Sequence, residues 1–134
     1  MKKLYVVLSI ALCMAASVTV YSMDPIYKKM LQKKGASNFF EISLIRAAQQ
    51  GDLENIKELI NELGTSIDFQ SMADGNTALI EAVINNRPQV VDYLIKNGAD
   101  VSLTNNNGKS ALDYALENND QAMANRILDA AAAQ

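Results

Sequence analysis

Shifted by 33 residues, the second half of this chain falls onto itself. Gly75 then meets Gly108, Thr77 meets Ser110 and Ala78-Leu79 meets Ala111-Leu112. Ala82 meets Ala115, Asn85-Asn86 meets Asn118-Asn119 and Leu94-Ile95 meets Ile127-Leu128, with no insertion. A third copy lies upstream, in Leu44-Ile45-Arg46-Ala47-Ala48, Gly51-Asp52, Ile56 and Leu59-Ile60. It registers at a shift of 35, so its connecting loop holds two extra residues. A period of this length is the mark of a stacked array, because one unit cannot bury its apolar face without a neighbour.

Each copy carries the same local plan. Thr77 or Ser110 is a helix N-cap. A helix of about eight residues follows, with Leu and Ala on its inner side. It ends at Gly51, Asn86 or Asn119, residue types that tolerate the left-handed backbone of a helix terminus. A second helix follows, with Pro88 in its first turn, where a missing N–H is harmless. Val90, Val91, Leu94 and Ile95 make its apolar stripe, and Asn97-Gly98 ends it. Residues 100–108 are a polar turn to the next copy. The expected fold is all-α, a solenoid of helix-turn-helix units.

This period and pattern resemble the ankyrin repeat over residues 42–133. The matching run is Asp74-Gly75-Asn76-Thr77-Ala78-Leu79, then Ala82, then Val90-Val91-Asp92-Tyr93-Leu94-Ile95-Lys96-Asn97-Gly98-Ala99-Asp100-Val101. The resemblance implies β-turn fingers between the helix pairs and repeats at about 42–71, 72–104 and 105–133. There are departures. The family usually sets Pro and His around the Leu of its Thr-Pro-Leu-His motif, where this chain has Ala78 and Ile80, then Ala111 and Asp113. That His normally ties neighbouring turns by hydrogen bonds, so its absence implies looser coupling between repeats. The first copy lacks the turn motif and the last ends in four alanines, as suits end caps that face water on one side. The expected core is Leu44, Ala47, Ile56, Leu59, Ile60, Leu79, Ala82, Val91, Leu94, Ile95, Leu112, Ala115, Ile127 and Leu128.

Composition removes most catalytic classes. The chain has no His and one Cys. A Ser-His-Asp triad, a Cys-His pair, an imidazole-ligated zinc, an internal disulfide and a CxxC pair are therefore excluded. Neither Gly75 nor Gly108 belongs to a phosphate loop. Asp74-Gly75-Asn76 lacks the spaced acids and closing Glu of a calcium loop. Glu54, Glu58 and Glu62 share one helix face, which reads as a solvated face rather than a cation site. No enzyme activity, cofactor or metal is expected.

The first 22 residues are unlike the rest. Lys2 and Lys3 precede an apolar run over 4–20, then small residues, with a cleavage site after Val20-Tyr21-Ser22 or near Ala15-Ala16-Ser17. This is the layout of a secretory signal peptide, and its Met-Lys-Lys start looks bacterial. Two alternatives stay open. The run is near the lower length for a membrane span, so an uncleaved anchor fits too. Cys13 follows Ile10-Ala11-Leu12, a lipobox-like run spoiled by bulky Leu12. Residues 23–40 form a second segment. Asp24-Pro25 opens an amphipathic helix with Ile26, Tyr27, Met30 and Leu31 on one side. Lys28, Lys29, Lys33 and Lys34 lie on the other side or at its seam, and Gly35 starts a linker. The lysines suit a membrane surface or an acidic partner, or simply water, with Ile26 and Met30 packed on the first repeat. The repeat domain occupies 41–134, with 6 basic and 14 acidic residues, a charge of −8. That would steer a basic partner patch, while the mild acidity of the whole chain, −3, argues against nucleic acid.

The resemblance implies a protein partner held on a concave surface of finger tips and inner helices. Carried over copy by copy, the tips are Ala73, Asp74 and Asn76, then Thr104, Asn106, Asn107 and Lys109. The inner-helix positions are Gln49 and Gln50, Ile84 and Asn85, then Glu117 and Asn118, with Glu81 and Tyr114 one turn earlier. Ile84 and Tyr114 are the apolar anchors of an amide-rich surface. Asn105, Asn106 and Asn107 read equally well as turn formers. The expected protein is a monomeric interaction module, secreted or periplasmic, with a membrane-tethered adaptor as the alternative.

Overall fold

The computed structural model describes residues 37–133. The leader, its cleavage sites, Cys13, and the segment with Ile26, Met30 and the four lysines lie outside the described residues. Six helices follow one another: α1 Ser37–Gln50, α2 Leu53–Asn61, α3 Ala78–Ile84, α4 Pro88–Lys96, α5 Ala111–Glu117 and α6 Gln121–Ala133. They pair as α1 with α2, α3 with α4 and α5 with α6. The first helices of the pairs stack, α1 on α3 on α5, while α4 meets α6. Among the described residues the only ladder contact is a bridge between Thr104 and Ser110. The architecture is an all-α repeat fold, as the periodicity requires.

Helix ends obey local chemistry. The Thr77 hydroxyl accepts from the Ile80 N–H at 3.2 Å, and Ser110 accepts from the Asp113 N–H at 3.3 Å. Pro88 opens α4 and Asp52 caps α2 through the Asn55 N–H. At the other end, Gly51, Asn86 and Asn119 all have positive φ, at 78°, 50° and 55°. The residue after each closes the same terminal loop: Asp52 N–H to the Ala47 carbonyl, Arg87 to Ala82 and Asp120 to Ala115, at 2.8–2.9 Å. Three equal terminations give three equal turns into the outer helices.

Two elements depart from expectation. α1 begins at Ser37 and runs 14 residues, through the place where a glycine-led linker was expected. Phe40 explains the extension, since its ring is buried in the core against the stack. The extra turn of α1 replaces the finger that the first copy lacks. The first connecting loop is longer, and one added residue sits at the end of α2. There the Thr65 N–H reaches back six residues to Leu59, whereas Ala99 reaches back five to Leu94.

The core runs unbroken through the three copies. Leu44, Ala47, Ile56, Leu59, Leu79, Ala82, Val91, Leu94, Ala115 and Ile127 are buried, while Ile60, Ile95 and Leu112 are partly buried against them. Leu128 is not core; it is 47% exposed. Its α6 position matches Ile95, but no further helix pair covers it among the described residues. Ile80 and Val83 join the core instead. No helix among the described residues is long and apolar enough to cross a membrane.

Candidate partner-binding face

The second finger spans 71–76 and the third 104–110. In the second, the Ser71 N–H meets the Asn76 carbonyl and the Gly75 N–H meets the Ser71 carbonyl, at 2.9 and 2.8 Å. The Asp74 carboxylate accepts from the Asn76 N–H at 3.0 Å. In the third, the Asn105 N–H donates to the Lys109 carbonyl, and the Asn105 side-chain oxygen accepts from the N–H groups of Asn107 and Lys109. Each tip is thus closed by its own Asx-type turn.

The fingers are then fastened to each other. The Asn106 N–H donates to the Asp74 carbonyl at 2.9 Å. The Gln70 amide donates to the carbonyls of Gly75 and Thr104 at 3.1 and 2.8 Å. The Asp100 N–H donates to Asp68 at 2.9 Å. Asn105 donates its amide to the Asn76 side-chain oxygen at 2.8 Å. The loose coupling expected from the missing imidazoles is therefore not found between the second and third copies. Ile80, in one imidazole's place, is buried core, and Asp113, in the other, completes a capping box with Ser110. Asparagines and a glutamine make the ties instead.

Behind the fingers lies a polar chain. The Asn76 amide donates to Glu81 at 2.7 Å and Asp74 at 3.2 Å. The Asn85 amide donates to the Glu81 carbonyl at 2.9 Å and its carboxylate at 3.3 Å. The Asn105 amide also reaches the Tyr114 hydroxyl, at 2.8 Å. Lys109 pairs with Glu117 at 2.7 Å and lies 5.4 Å from the Tyr114 ring centre. The Glu117 hydrogen bond, aided by its charge, raises the Lys109 pKa above its usual value.

The candidate residues divide into two groups. Ala73, Asp74, Thr104, Asn106 and Asn107 are exposed on the fingers, and Gln49, Gln50, Ile84, Asn85, Glu117 and Asn118 are exposed at the ends of the inner helices. Lys109 and Tyr114 are half-buried between them. Asn76 and Glu81 are buried, at 7% and 6% exposure, so they position neighbours rather than face solvent. Asn105, equally buried, is the residue that a turn-former reading passes over. No signal in the sequence singles it out, because each asparagine of 105–107 suits a tight turn equally. Arg87 is another, donating its side chain to the Gln49 carbonyl at 3.1 Å and so closing the end of α1. Among the described residues no three acids, histidines or cysteines converge as a metal site.

The comparisons with known proteins agree with this architecture. A family model of ankyrin repeats in three copies matches residues 44–134. The mouse ankyrin repeat and SAM domain-containing protein 6 is 33% identical over 97 residues, 72% of this chain and 10% of that protein. An ankyrin repeat protein of Rickettsia bellii is 31% identical over 80 residues, 58% of this chain and 12% of that one. The phosphocholine transferase AnkX of Legionella pneumophila is 31% identical over 86 residues, 62% of this chain and 9% of the enzyme. The chain thus spans about a tenth of the length of these relatives. Ankyrin repeats are protein-interaction modules, typically without catalysis of their own. With helix pairs, fingers and family model in register, the chain belongs to the ankyrin-repeat family.

Proposed function

We propose that this chain is an exported, non-catalytic module that binds a protein partner on the face made by its fingers and inner helices. One observation carries the reading. The fingers are fastened by side-chain and backbone bonds into a continuous rim, and exposed Ile84 and half-buried Tyr114 stand beside that rim. A preformed polar rim around apolar anchors suits a protein surface. The catalytic names among the relatives do not transfer, because the chain matches only 9% of the transferase.

The test is capture of a partner by the full chain, repeated with Ile84→Ala and Tyr114→Ala. Each change is expected to weaken the captured partner about tenfold, the scale of a single interface anchor. If neither does, the face is wrongly assigned. Export rests on the basic start and the apolar run over 4–20. The same run supports a second reading, a membrane-tethered adaptor whose leader stays in place. The mass of the mature protein separates them: a chain starting near Met23 supports export and an intact Met1 supports the tether.

A further inference from the structure

The polar chain fixes which groups the face can offer, and from this we infer that the partner presents an extended stretch of peptide backbone, recognised through Tyr114 and Asn85. The inference rests on the protein-binding reading above and names the chemistry of the partner.

Asn76 turns its amide nitrogen toward the carboxyl oxygens of Glu81 and Asp74 and its oxygen toward the Asn105 amide. Asn105 is fixed independently, because its oxygen already accepts from two backbone N–H groups. Its nitrogen has two hydrogens. One goes to Asn76 and the other to the Tyr114 hydroxyl, both at 2.8 Å. The Tyr114 oxygen is thus an acceptor in this contact, and its own proton must point elsewhere. Among the described residues that proton meets no acceptor. Tyr114 is held as a hydrogen-bond donor toward solvent.

Asn85 is fixed in the opposite sense. Both of its amide contacts are to acceptors, the Glu81 carbonyl and carboxylate, so its nitrogen faces inward. Its oxygen is left on the exposed side, and among the described residues nothing donates to it. A donor on α5 and an acceptor on α3 therefore stand on stacked inner helices, with Ile84 beside the acceptor. Backbone peptide groups supply the complement, a carbonyl for Tyr114 and an N–H for Asn85. A helix uses these groups internally, whereas an extended segment leaves them free. Fixed polarity also gives the segment a direction across the inner helices.

The test selects binders from a random 12-residue peptide display library on the full chain, then measures chosen peptides against variants. Tyr114→Phe keeps the ring and removes only the donor. It is expected to weaken binding at least fivefold, with an unchanged circular dichroism spectrum. Replacing one peptide amide by an ester removes its N–H. At one position this is expected to weaken binding to the parent at least fivefold and to Asn85→Ala hardly at all. Peptides weakened by Ile84→Ala but indifferent to Tyr114→Phe and to every ester would overturn the inference while leaving the face intact. Peptides indifferent to Ile84→Ala as well overturn both readings.

Discussion

Asp113 stands where the family places an imidazole, and it has taken a different task. Its carboxylate accepts from the Ser110 N–H and hydroxyl, each at 2.7 Å, while the Ser110 hydroxyl caps the Asp113 N–H. Those bonds, the backbone one foremost, hold its pKa below the ordinary 3.8, and Lys109 adds a smaller pull. The sign of the pH effect follows. A carboxyl with a folded pKa below its unfolded one stabilises above the unfolded value and loses that effect as pH falls through the folded one. Asp113→Ala is expected to lower the melting temperature at pH 7. Its difference from the parent should narrow as pH drops below 3.8. A constant difference from pH 7 to pH 2 in thermal melts would remove the capping box as its source. Ser110 itself was legible as a cap from its place before an apolar run. The reciprocal role of Asp113 was not, because the capping-box pattern calls for Glu or Gln at that place and Asp is shorter.

At the scale of an element, the second finger depends on one glycine. Gly75 has φ of 75°, where a side chain is strained, and its built Cβ would lie 2.5 Å from the Asn106 side-chain oxygen and 2.8 Å from its backbone nitrogen. Gly75→Ala must therefore open the contact between the second and third fingers as well as strain its own. A loss of roughly 2–4 kcal/mol is expected from the strain and the displaced bonds together. Gly98→Ala, with open space around its Cβ, has only the φ of 88° against it and should lose about 1–2 kcal/mol. Urea titration of both variants measures the gap, and equal losses would mean the fingers are not in contact. Local signals foretold the elements: caps, left-handed asparagines and Pro88 act within a few residues of themselves. The long α1 was hidden because Gly35 and Ser37-Asn38 look like a stop, and only tertiary burial of Phe40 outweighs that. The site was legible as positions but not as roles. No spacing in the sequence says that Asn76 and Glu81 are buried, or that Asn105 reaches back 29 residues to Asn76.

At the scale of the whole molecule, the first and third described copies are unlike. Along the outer helices, Val90 and Met123 are buried, whereas the first copy carries partly buried Asn55 in the same register. The third copy instead presents apolar side chains. Val83 is 2% exposed because the third copy covers it, and its counterpart Leu116 is 52% exposed. Leu79, also 2% exposed, has only partly buried Leu112 as its counterpart. One repeat position therefore carries two energies, according to whether a neighbour follows. Val83→Ala empties a packed site and is expected to lose roughly 1.5–3 kcal/mol. Leu116→Ala removes a larger side chain from a wetter place and should lose less than about 0.5 kcal/mol. Chemical denaturation of the full chain compares them directly, at several protein concentrations. A loss at Leu116 as large as that at Val83 would mean that the end face is covered in solution. If that loss also grew with concentration, the cover would be a second molecule, since an intramolecular cover gives a stability independent of concentration.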